Sequence, residues 1–359
     1  MTVDVVVLGA GVVGLSAARR AAEKGARVTV VEPRQPGGQG SRAAAGVAVA
    51  SVRLLDDPPM LEFTRNSMPQ LGGELEGLSG WGSLRRGGGI LRVAADVKMR
   101  ELLETKAKSV PAWLGRWVDG KDLAALEPAL EGTPLLGGFL SDEGFMVDTG
   151  AYLNALQAEV SKLKVSLRFG EAALAVQETA TGVEVTTDRG TLKADQLVVA
   201  AGAWSGRFGG LSPLPVMPMR GQMMTVGHPS LRLTRVVSGS MYLGPWKGGE
   251  LVVGATEEDA GFSPHVTATG LLQLTAALAK MAPAMREAPV STFWAGLRAA
   301  TPSGRPFIGR WPGHQRVWIA AGHGGQGILT GGATGAAIAS LLDGQRAPQV
   351  EMFDPARHQ

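Results

Sequence analysis

The hydrophobic positions at the N-terminus follow two different periods, which predict a strand, a helix and a second strand. Val3 to Leu8 is a short apolar run typical of a buried strand. Small and apolar residues at helical spacing follow from about Val12 to Lys24. A second apolar run, Arg27 to Val31, ends at the acidic residue Glu32. The pattern therefore predicts a β–α–β unit whose strands lie parallel in one sheet.

The turn between the first strand and the helix carries Gly9, Gly11 and Gly14 in the spacing G-x-G-x-x-G. Gly9 permits a tight turn, Gly11 lets the backbone approach a pyrophosphate, and Gly14 lets the helix pack closely on the strand. The positive end of the helix faces that phosphate, and Glu32 is placed to accept hydrogen bonds from ribose hydroxyls. This context favours a Rossmann-like dinucleotide site for FAD or NAD over a turn with only a structural role.

The middle of the chain changes from helical to alternating patterns. Between roughly Pro58 and Leu130 the pattern is helical, most clearly at Met99 to Lys108 and Pro111 to Val118. A further helix and a series of strands are predicted after it, at Gly150 to Leu163, Val165 to Phe169, Ala173 to Glu178, Val183 to Thr187 and Gln196 to Ala201.

The last third predicts a mostly antiparallel sheet with one helix, near Ala268 to Met281, and then a return to strand, glycine loop and helix over Val317 to Leu342. We predict an α/β protein in which residues 1–85, 142–213 and 302–359 form a discontinuous Rossmann-like nucleotide domain. Residues 86–141 and 214–301 are predicted to form a substrate domain built on the antiparallel sheet with helices.

Composition narrows the chemistry. The 359 residues include no cysteine, which excludes disulfides, thiolate catalysis, cysteine-ligated metals and a flavin attached through cysteine. No histidine has ligand spacing, so we expect no metal site. The net charge is +3, and no basic run exceeds Arg85-Arg86, so nucleic acid is not an expected partner. No apolar stretch approaches a membrane span and no signal segment is recognisable, so we expect a soluble, cytoplasmic protein.

Two further segments carry candidate chemistry. The loop from Gly322 to Gly327 precedes a helix whose positive end would stabilise an anionic reduced flavin, although a flexible turn is the alternative. Arg298 follows a strand in WAGLRAATPSGRPFIG, with Arg305 after it. An arginine there would bind a substrate carboxylate through two hydrogen bonds or form a surface ion pair, and the residues alone leave both open.

The chain resembles the D-amino acid oxidase-like flavoproteins, and within them the glycine oxidase branch, which is linked to the thiazole step of thiamine biosynthesis. The matching stretches cover nearly the whole chain: GAGVVG with Glu32, SRAAAGVAVAS, VVAAGAWSG, PMRGQMMTV, MYLGPWKGGELVVGAT, WAGLRAATPSGRPFIGR and AAGHGGQGILTGGATG. The resemblance implies non-covalently bound FAD as the cofactor.

The resemblance also implies roles for individual residues. Arg298 matches the carboxylate-binding arginine of the family, and Tyr242 matches an active-site tyrosine whose hydroxyl faces that carboxylate. Besides the three glycines of the first turn, the implied FAD contacts are Val12, Val13, Glu32 and Pro33 for the adenosine and pyrophosphate half, Gly40, Ser41, Ala45, Gly46 and Val47 along the flavin, Ala173 and Gly202 beside them, and His323, Gly324, Gly325, Gln326, Gly327, Ile328 and Leu329 around the ring.

The chain departs from the glycine oxidase pattern at three positions. Gly325 stands where a second arginine is common, Val47 where a methionine lines the pocket, and Trp246 where a basic residue is common. Val47, Tyr242, Arg298 and Gly325 are therefore the predicted substrate-binding residues. The changes predict a pocket that accepts something larger than glycine.

The implied reaction is oxidative deamination of glycine, other small amino acids or secondary amines, including sarcosine and D-amino acids. Hydride transfer to the flavin gives an imine, which hydrolyses to an oxo acid and ammonia, and molecular oxygen reoxidises the flavin to yield hydrogen peroxide. The family often forms tetramers, so the resemblance admits a homo-oligomer, although nothing in the residues demands one.

Three alternatives stay open at this point. The first is a dehydrogenase of the same fold that passes electrons to a quinone or carrier. The second is a flavin-binding protein without turnover, or the oxidative module of an RNA-modification enzyme. The third is an NAD dehydrogenase.

Overall fold

A computed structural model of the protein describes residues 2–227 and 232–358. None of the helices in these two ranges combines the length and apolar character needed to cross a membrane. The α-helices of the described residues are α1 (Val12–Glu23), α2 (Pro58–Gly77), α3 (Val97–Ser109), α4 (Leu123–Leu126), α5 (Thr149–Lys162), α6 (Ala268–Met281) and α7 (Gly327–Leu342).

The strands build four sheets. In chain order the strands are β1 (Asp4–Leu8), β2 (Arg27–Glu32), β3 (Val47–Ala48), β4 (Arg85–Arg86), β5 (Ile90–Ala94), β6 (Arg116–Asp119), β7 (Gly137–Ser141), β8 (Phe145–Val147), β9 (Ser166–Phe169), β10 (Ala173–Glu178), β11 (Val183–Thr187), β12 (Gly190–Ala194), β13 (Gln196–Val199), β14 (Met217–Val226), β15 (Val236–Ser238), β16 (Tyr242–Pro245), β17 (Leu251–Gly254), β18 (Val290–Ala300), β19 (Phe307–Arg310) and β20 (Val317–Ala321).

A six-stranded sheet with the order β19-β20-β13-β1-β2-β9 forms the nucleotide-binding half. Its strands are parallel except for β19, which runs antiparallel to β20. The strands read as continuous apolar runs because both faces are covered. Val5 and Val7 pack with α1, α2, α5 and α7 on one face, while Val6 and Leu8 pack with β10 and β11 on the other.

Backbone contact without intervening side chains sets the position of α1. A Cβ atom at Gly14 would lie 2.0 Å from the carbonyl oxygen of Gly9, so only glycine allows the helix to begin this close to β1. On the other side of α1, a Cβ at Gly335 would lie 2.6 Å from the carbonyl carbon of Ser16 in α1. The helices α1 and α7 therefore pack backbone to backbone beside the sheet.

An eight-stranded sheet with the order β18-β14-β17-β16-β15-β5-β7-β6 faces the first sheet across the site. Only the β15–β5 pair is parallel, which confirms the predicted mostly antiparallel sheet. One face packs on α6 through residues such as Met224, Leu243 and Val253. The opposite face carries Met223 and Tyr242, and it is the face that lines the site.

The prediction for Pro111 to Val118 is wrong, since this segment forms a turn and then enters β6. Trp117 of β6 pairs with Phe139 of β7, and Val118 and Leu114 are buried. The apolar positions of so short a segment fit a helical and an extended period equally well, and strand pairing with distant residues decided between them. The helices at Gly150 to Leu163 and Ala268 to Met281 are confirmed within one residue.

The division of the chain into two domains stays a prediction. The strands β5, β6 and β7, from the predicted segment 86–141, lie in the same sheet as β14 to β18, from the segment 214–301. Residues 228–231 of that second segment, and the terminal residues 1 and 359, are outside the described residues.

We expect Gly335→Ala to lower the free energy of unfolding by about 1–3 kcal/mol, because the added methyl group overlaps the α1 backbone. Gly72→Ala is the matched control, since nothing lies within 4 Å of a Cβ at this position in α2. There the gain in helix propensity should raise the free energy of unfolding by about 0.5–1 kcal/mol. Urea denaturation of both variants measures the difference, and equal effects would contradict the packing described here.

Candidate active site

A cavity of about 510 Å³ lies between the two large sheets. It is bounded by the first glycine turn, the segment 33–47, the residues after β13, the site face of the eight-stranded sheet and the loop before α7. It has a polar end beside Glu32 and α1, and a more apolar end beside Val47, Met223 and Tyr242. An elongated cavity with these two ends suits a dinucleotide that reaches from a helix N-terminus toward a substrate pocket.

The polar end has the geometry that a dinucleotide requires. Gly9 has φ +107°, and a Cβ there would lie 2.4 Å from the carbonyl oxygen of Ala200. The Val12 amide, at the first turn of α1, donates to Ser41 Oγ at 3.1 Å. The Glu32 carboxylate accepts from the amides of Ala10 at 2.9 Å and Arg34 at 3.0 Å. These bonds hold the acid on the cavity wall, where its remaining lone pairs would be available to the hydroxyls of a ribose.

Most of the residues predicted to contact the cofactor or the substrate line this cavity. They are Gly9, Gly11, Val12, Val13, Glu32, Pro33, Gly40, Ser41, Ala45, Gly46, Val47, Ala173, Gly202, Tyr242, Arg298, His323, Gly324, Gly325, Gly327 and Ile328. Gly14, Gln326 and Leu329 do not reach its wall: Gly14 serves helix packing and Leu329 is buried inside α7. Many of the lining residues are glycines, and larger side chains there would fill the space. The cavity therefore fits FAD, while the role of each residue stays a prediction.

Sequence reasoning missed two arginines at the polar end, Arg34 and Arg207, which both line the cavity. The Cζ atom of Arg34 lies 5.3 Å from the ring centroid of Trp204, another lining residue. Trp204 belongs to the stretch VVAAGAWSG, whose match to the family could have indicated that this residue lies at the site. The arginines gave no such indication, because only the folded chain brings position 34 beside position 204.

At the flavin end, the loop Gly322 to Gly327 turns sharply into α7. Gly322 has φ +84°, and a Cβ there would lie 2.5 Å from the side chain of Thr301. The buried His323 ring lies 3.0 Å, Nε2 to Oγ1, from Thr334. Burial lowers the pKa of His323 to about 4, so the ring is neutral near pH 7. His323 therefore holds the loop on α7 and is not placed to act as a base.

At the substrate end, Arg298 of β18 has no carboxylate partner. Its Nη1 donates to the carbonyl oxygen of Thr256 at 3.1 Å, and no ion pair to it occurs among the described residues. The guanidinium lies over Gly221, where a Cβ would be 2.7 Å from Nη1. Without a side chain at Gly221, the charged group stays exposed to the cavity. A partly buried, unneutralised guanidinium is suited to bind a carboxylate.

Tyr242 reaches the same place from β16. Sheet register explains this convergence. Across four neighbouring strands, Tyr242 is paired with Gly254, Gly254 with Met223, and Met223 with Trp294. Trp294 lies on the same face of β18 as Arg298, so Tyr242 and Arg298 share one face of the sheet. The Tyr242 hydroxyl donates to Met223 Sδ at 3.1 Å. Burial raises its pKa to about 12, although the nearby Arg298 charge opposes that rise. Tyr242 is thus a protonated hydrogen-bond donor beside the guanidinium.

Apolar residues form the wall around these two groups. Val47 and Met223 line the cavity, and a Cβ added at Gly325 would meet nothing within 4 Å. Behind Val47, Trp246 and Trp294 stack with ring centroids 5.8 Å apart. The Trp294 indole donates to the carbonyl oxygen of Ala43 at 2.8 Å, which ties the sheet to the segment 33–47.

Arg305, the second arginine of its motif, is outside the cavity. Its Nε lies 2.9 Å from a carboxylate oxygen of Asp57, so its charge is already paired. The structure thus distinguishes the two arginines of this motif: Arg298 faces the cavity, and Arg305 joins the loop before β19 to the start of α2.

A family model described as FAD dependent oxidoreductase (DAO) matches residues 4–341. Among related sequences, the glycine oxidase of Bacillus licheniformis is 31% identical over 363 residues, covering 99% of this chain and 97% of that protein. The bifunctional protein ThiO/ThiG of Trichormus variabilis is 32% identical over 375 residues, covering 100% of this chain. The chain spans only 56% of the length of that bifunctional protein.

Solved structures give the same result for the fold. The glycine oxidase of Geobacillus kaustophilus superposes with a TM-score of 0.93 at 26% identity, covering 100% of both chains. The iminodiacetate oxidase of Chelativorans sp. BNC1 gives a TM-score of 0.87 at 27% identity, covering 98% of both chains. The chain belongs to the DAO family of FAD-dependent oxidoreductases. The predicted resemblance, fold class and FAD cofactor are confirmed, and the likeness to glycine oxidases favours oxidation of amino acid or amine donors over the dehydrogenase alternative.

We expect the buried neutral His323 to make stability depend on pH. Its pKa is about 4 in the native state, against about 6.5 when the chain is unfolded. As pH falls from about 6.5 to about 4, the unfolded state takes up a proton that the native state does not, so native stability falls by up to about 1.4 kcal/mol per pH unit. Below about pH 4 this contribution no longer changes. Urea titrations of the wild type and His323→Asn across this range should show a shallower decline in the variant; parallel curves would exclude His323 as the source.

Proposed function

We propose that this protein is an oxidase that uses FAD to deaminate small amino acids or secondary amines. The observation that carries the proposal is the unpaired Arg298 guanidinium, which shares one end of the cavity with the Tyr242 hydroxyl and the glycine loop before α7. A carboxylate is the anion that a bidentate guanidinium and a phenol donor together recognise.

The chain's own residues position the substrate rather than transfer protons. Arg298 binds the carboxylate and Tyr242 donates to it, which orients the Cα atom toward the loop before α7. FAD, when bound, supplies the hydride acceptor. Glu32 is the only carboxylate residue among the described lining residues, and it lies at the nucleotide end. With His323 buried and Tyr242 protonated, we propose that the uncharged amine is the reacting form and that solvent takes its proton.

The pocket favours a substrate with one carboxylate and an apolar substituent on nitrogen or Cα. The open space at Gly325 and the short side chain of Val47 leave room beyond glycine itself. Val47 and Met223 are apolar, so a second carboxylate there would lose hydration without gaining a cation. Sarcosine, N-ethylglycine, D-alanine and D-proline fit this description. Iminodiacetate, the substrate in the name of one structural relative, fits it less well.

Several finer features belong to the same proposal. We propose molecular oxygen as the electron acceptor, with hydrogen peroxide as the product, in line with the relatives named as oxidases. A cytoplasmic location, a homo-oligomeric state and a part in thiamine biosynthesis stay predictions.

We expect Arg298→Ala to raise KM for every carboxylate-bearing substrate by about ten-fold to a hundred-fold, because it removes a charge-assisted contact worth about 1.5–3 kcal/mol. Arg305→Ala is the matched control: it removes the same charge from the same motif, but from a side chain paired with Asp57. Steady-state kinetics of the two variants measure the difference. Unchanged KM in Arg298→Ala would remove Arg298 from the substrate site.

The substrate class is tested by anaerobic bleaching of the flavin, followed by readmitted air. Sarcosine, N-ethylglycine, D-alanine and D-proline should bleach faster than glycine, and iminodiacetate should bleach slowly, because only the first group places apolar atoms against Val47 and Met223. Rapid recolouring with formation of peroxide is expected of an oxidase. Glycine as the fastest substrate would contradict the enlarged pocket, slow recolouring would favour a dehydrogenase, and no bleaching would refute the amino acid proposal.

A further inference from the structure

The segment between β17 and α6, residues 255–267, runs from the substrate end of the site to the nucleotide end. We call this segment the strap. Thr256, near its start, contacts the substrate-binding arginine, and Phe262, at its middle, contacts the nucleotide end. The strap is therefore in a position to affect both ligands.

A buried polar network fixes the base of the strap on β14. Gln222, which is fully buried, donates through Nε2 to Glu258 at 2.7 Å and to Thr267 Oγ1 at 3.0 Å, and its Oε1 accepts from the Thr267 amide at 2.7 Å. Arg220 forms an ion pair with Glu258 at 2.5 Å. The backbones of Arg220 and Glu258 also exchange hydrogen bonds of 2.9 and 3.0 Å. Both ends of the strap thus depend on the two β14 side chains, Arg220 and Gln222.

The same network sets the position of Arg298. Its guanidinium donates to the Thr256 carbonyl oxygen at 3.1 Å. The Thr256 hydroxyl accepts from the backbone N–H of Gln222 at 2.9 Å and donates to the Glu258 carboxylate. Glu258 and Gln222 therefore hold Thr256, whose carbonyl oxygen is the one protein acceptor of the Arg298 guanidinium among the described residues.

At its middle, the strap joins an alternating series of cations and rings. The rings of Phe262 and Trp204 are 5.1 Å apart, centroid to centroid. The Cζ atom of Arg34 lies 5.3 Å from the Trp204 ring, and that of Arg207 lies 5.6 Å from the Phe262 ring. Arg34, Trp204 and Arg207 all line the nucleotide end, and neither arginine has an ion pair among the described residues. Such cation–π contacts orient the two free charges toward the cavity.

We propose that Glu258 is a positioning residue for both ligands: through the strap it holds the carboxylate-binding Arg298 at one end of the cavity and the Phe262–Trp204 contact over the nucleotide at the other. No group on the strap need touch the substrate for this to operate. Since the role of Arg298 comes from the proposed function, this inference rests on that function.

The charge of Glu258 is available for this role at neutral pH. Burial alone would raise the pKa of its carboxyl group, but hydrogen bonds from Thr256, Arg220 and Gln222 outweigh burial and hold it below the ordinary value. Its neighbour Glu257 is exposed. Glu257 therefore offers a matched control on the same strap.

The test measures two dissociation constants for Glu258→Gln, Glu257→Gln, Phe262→Leu and Arg298→Lys. FAD binding is followed by quenching of flavin fluorescence on titration into the apoprotein. Carboxylate binding is followed with acetate, through the absorbance of the flavin in the FAD-saturated protein. Glu258→Gln should weaken both constants about ten-fold and raise KM for sarcosine more than it changes kcat. Phe262→Leu should weaken FAD alone, Arg298→Lys should weaken acetate alone, and Glu257→Gln should change neither.

The outcomes test the inference about Glu258 separately from the proposed function. The inference is overturned if Glu258→Gln weakens the binding of only one of FAD and acetate, or of neither. It is also overturned if Glu257→Gln weakens both to the same extent. If Arg298→Lys leaves acetate binding unchanged, the proposed function fails at its arginine, whatever Glu258→Gln does. If Glu258→Gln does not fold, Thr256→Val, which removes only the hydroxyl between Gln222 and Glu258, is judged by the same criterion.

Discussion

The close approach of backbone to backbone around α1 is the constraint on which the rest of the site depends. At Gly9 and Gly14 a single Cβ would overlap a carbonyl oxygen, at 2.4 and 2.0 Å. Because no side chain intervenes, the positive end of α1 reaches the cavity directly, and α7 packs on the far side of α1 through Gly335. The loop before α7 is thereby carried to the opposite end of the same cavity. One local packing rule thus sets both the phosphate end and the flavin end.

The two large sheets supply different kinds of groups to the cavity. The parallel sheet supplies backbone amides and Glu32. These groups suit the binding of a dinucleotide cofactor, which itself carries the redox chemistry. The antiparallel sheet supplies side chains on one face, where Tyr242 and Arg298 lie over glycines at 254 and 221. Glycine at these positions gives the phenol and the guanidinium room to lie flat on the sheet. The Arg298 guanidinium has no carboxylate partner among the described residues, and we propose that the substrate carboxylate becomes that partner.

The likeness to the glycine oxidase of Geobacillus kaustophilus extends over the whole fold. At the proposed substrate end, Gly325 leaves open space, Val47 presents a short apolar side chain, and Trp246 and Trp294 stack behind Val47. We propose that apolar contact at these positions adds to the recognition of charge by Arg298. Change at these positions would alter which amine is preferred and leave the reaction class in place.

The sequence by itself determined the β–α–β nucleotide unit, the glycine turn with Glu32, the loop before α7 and the antiparallel character of the second sheet. Each of these depends on residues close together in the chain, whose apolar period and turn chemistry are local properties. Only the tertiary structure supplied the sheet register that brings Tyr242 beside Arg298 and the ion pair of Arg305 with Asp57. It also brought Arg34 and Arg207 to the cavity and made Pro111 to Val118 a turn and a strand. Those outcomes depend on register and packing between residues far apart in sequence, and no local pattern records such contacts.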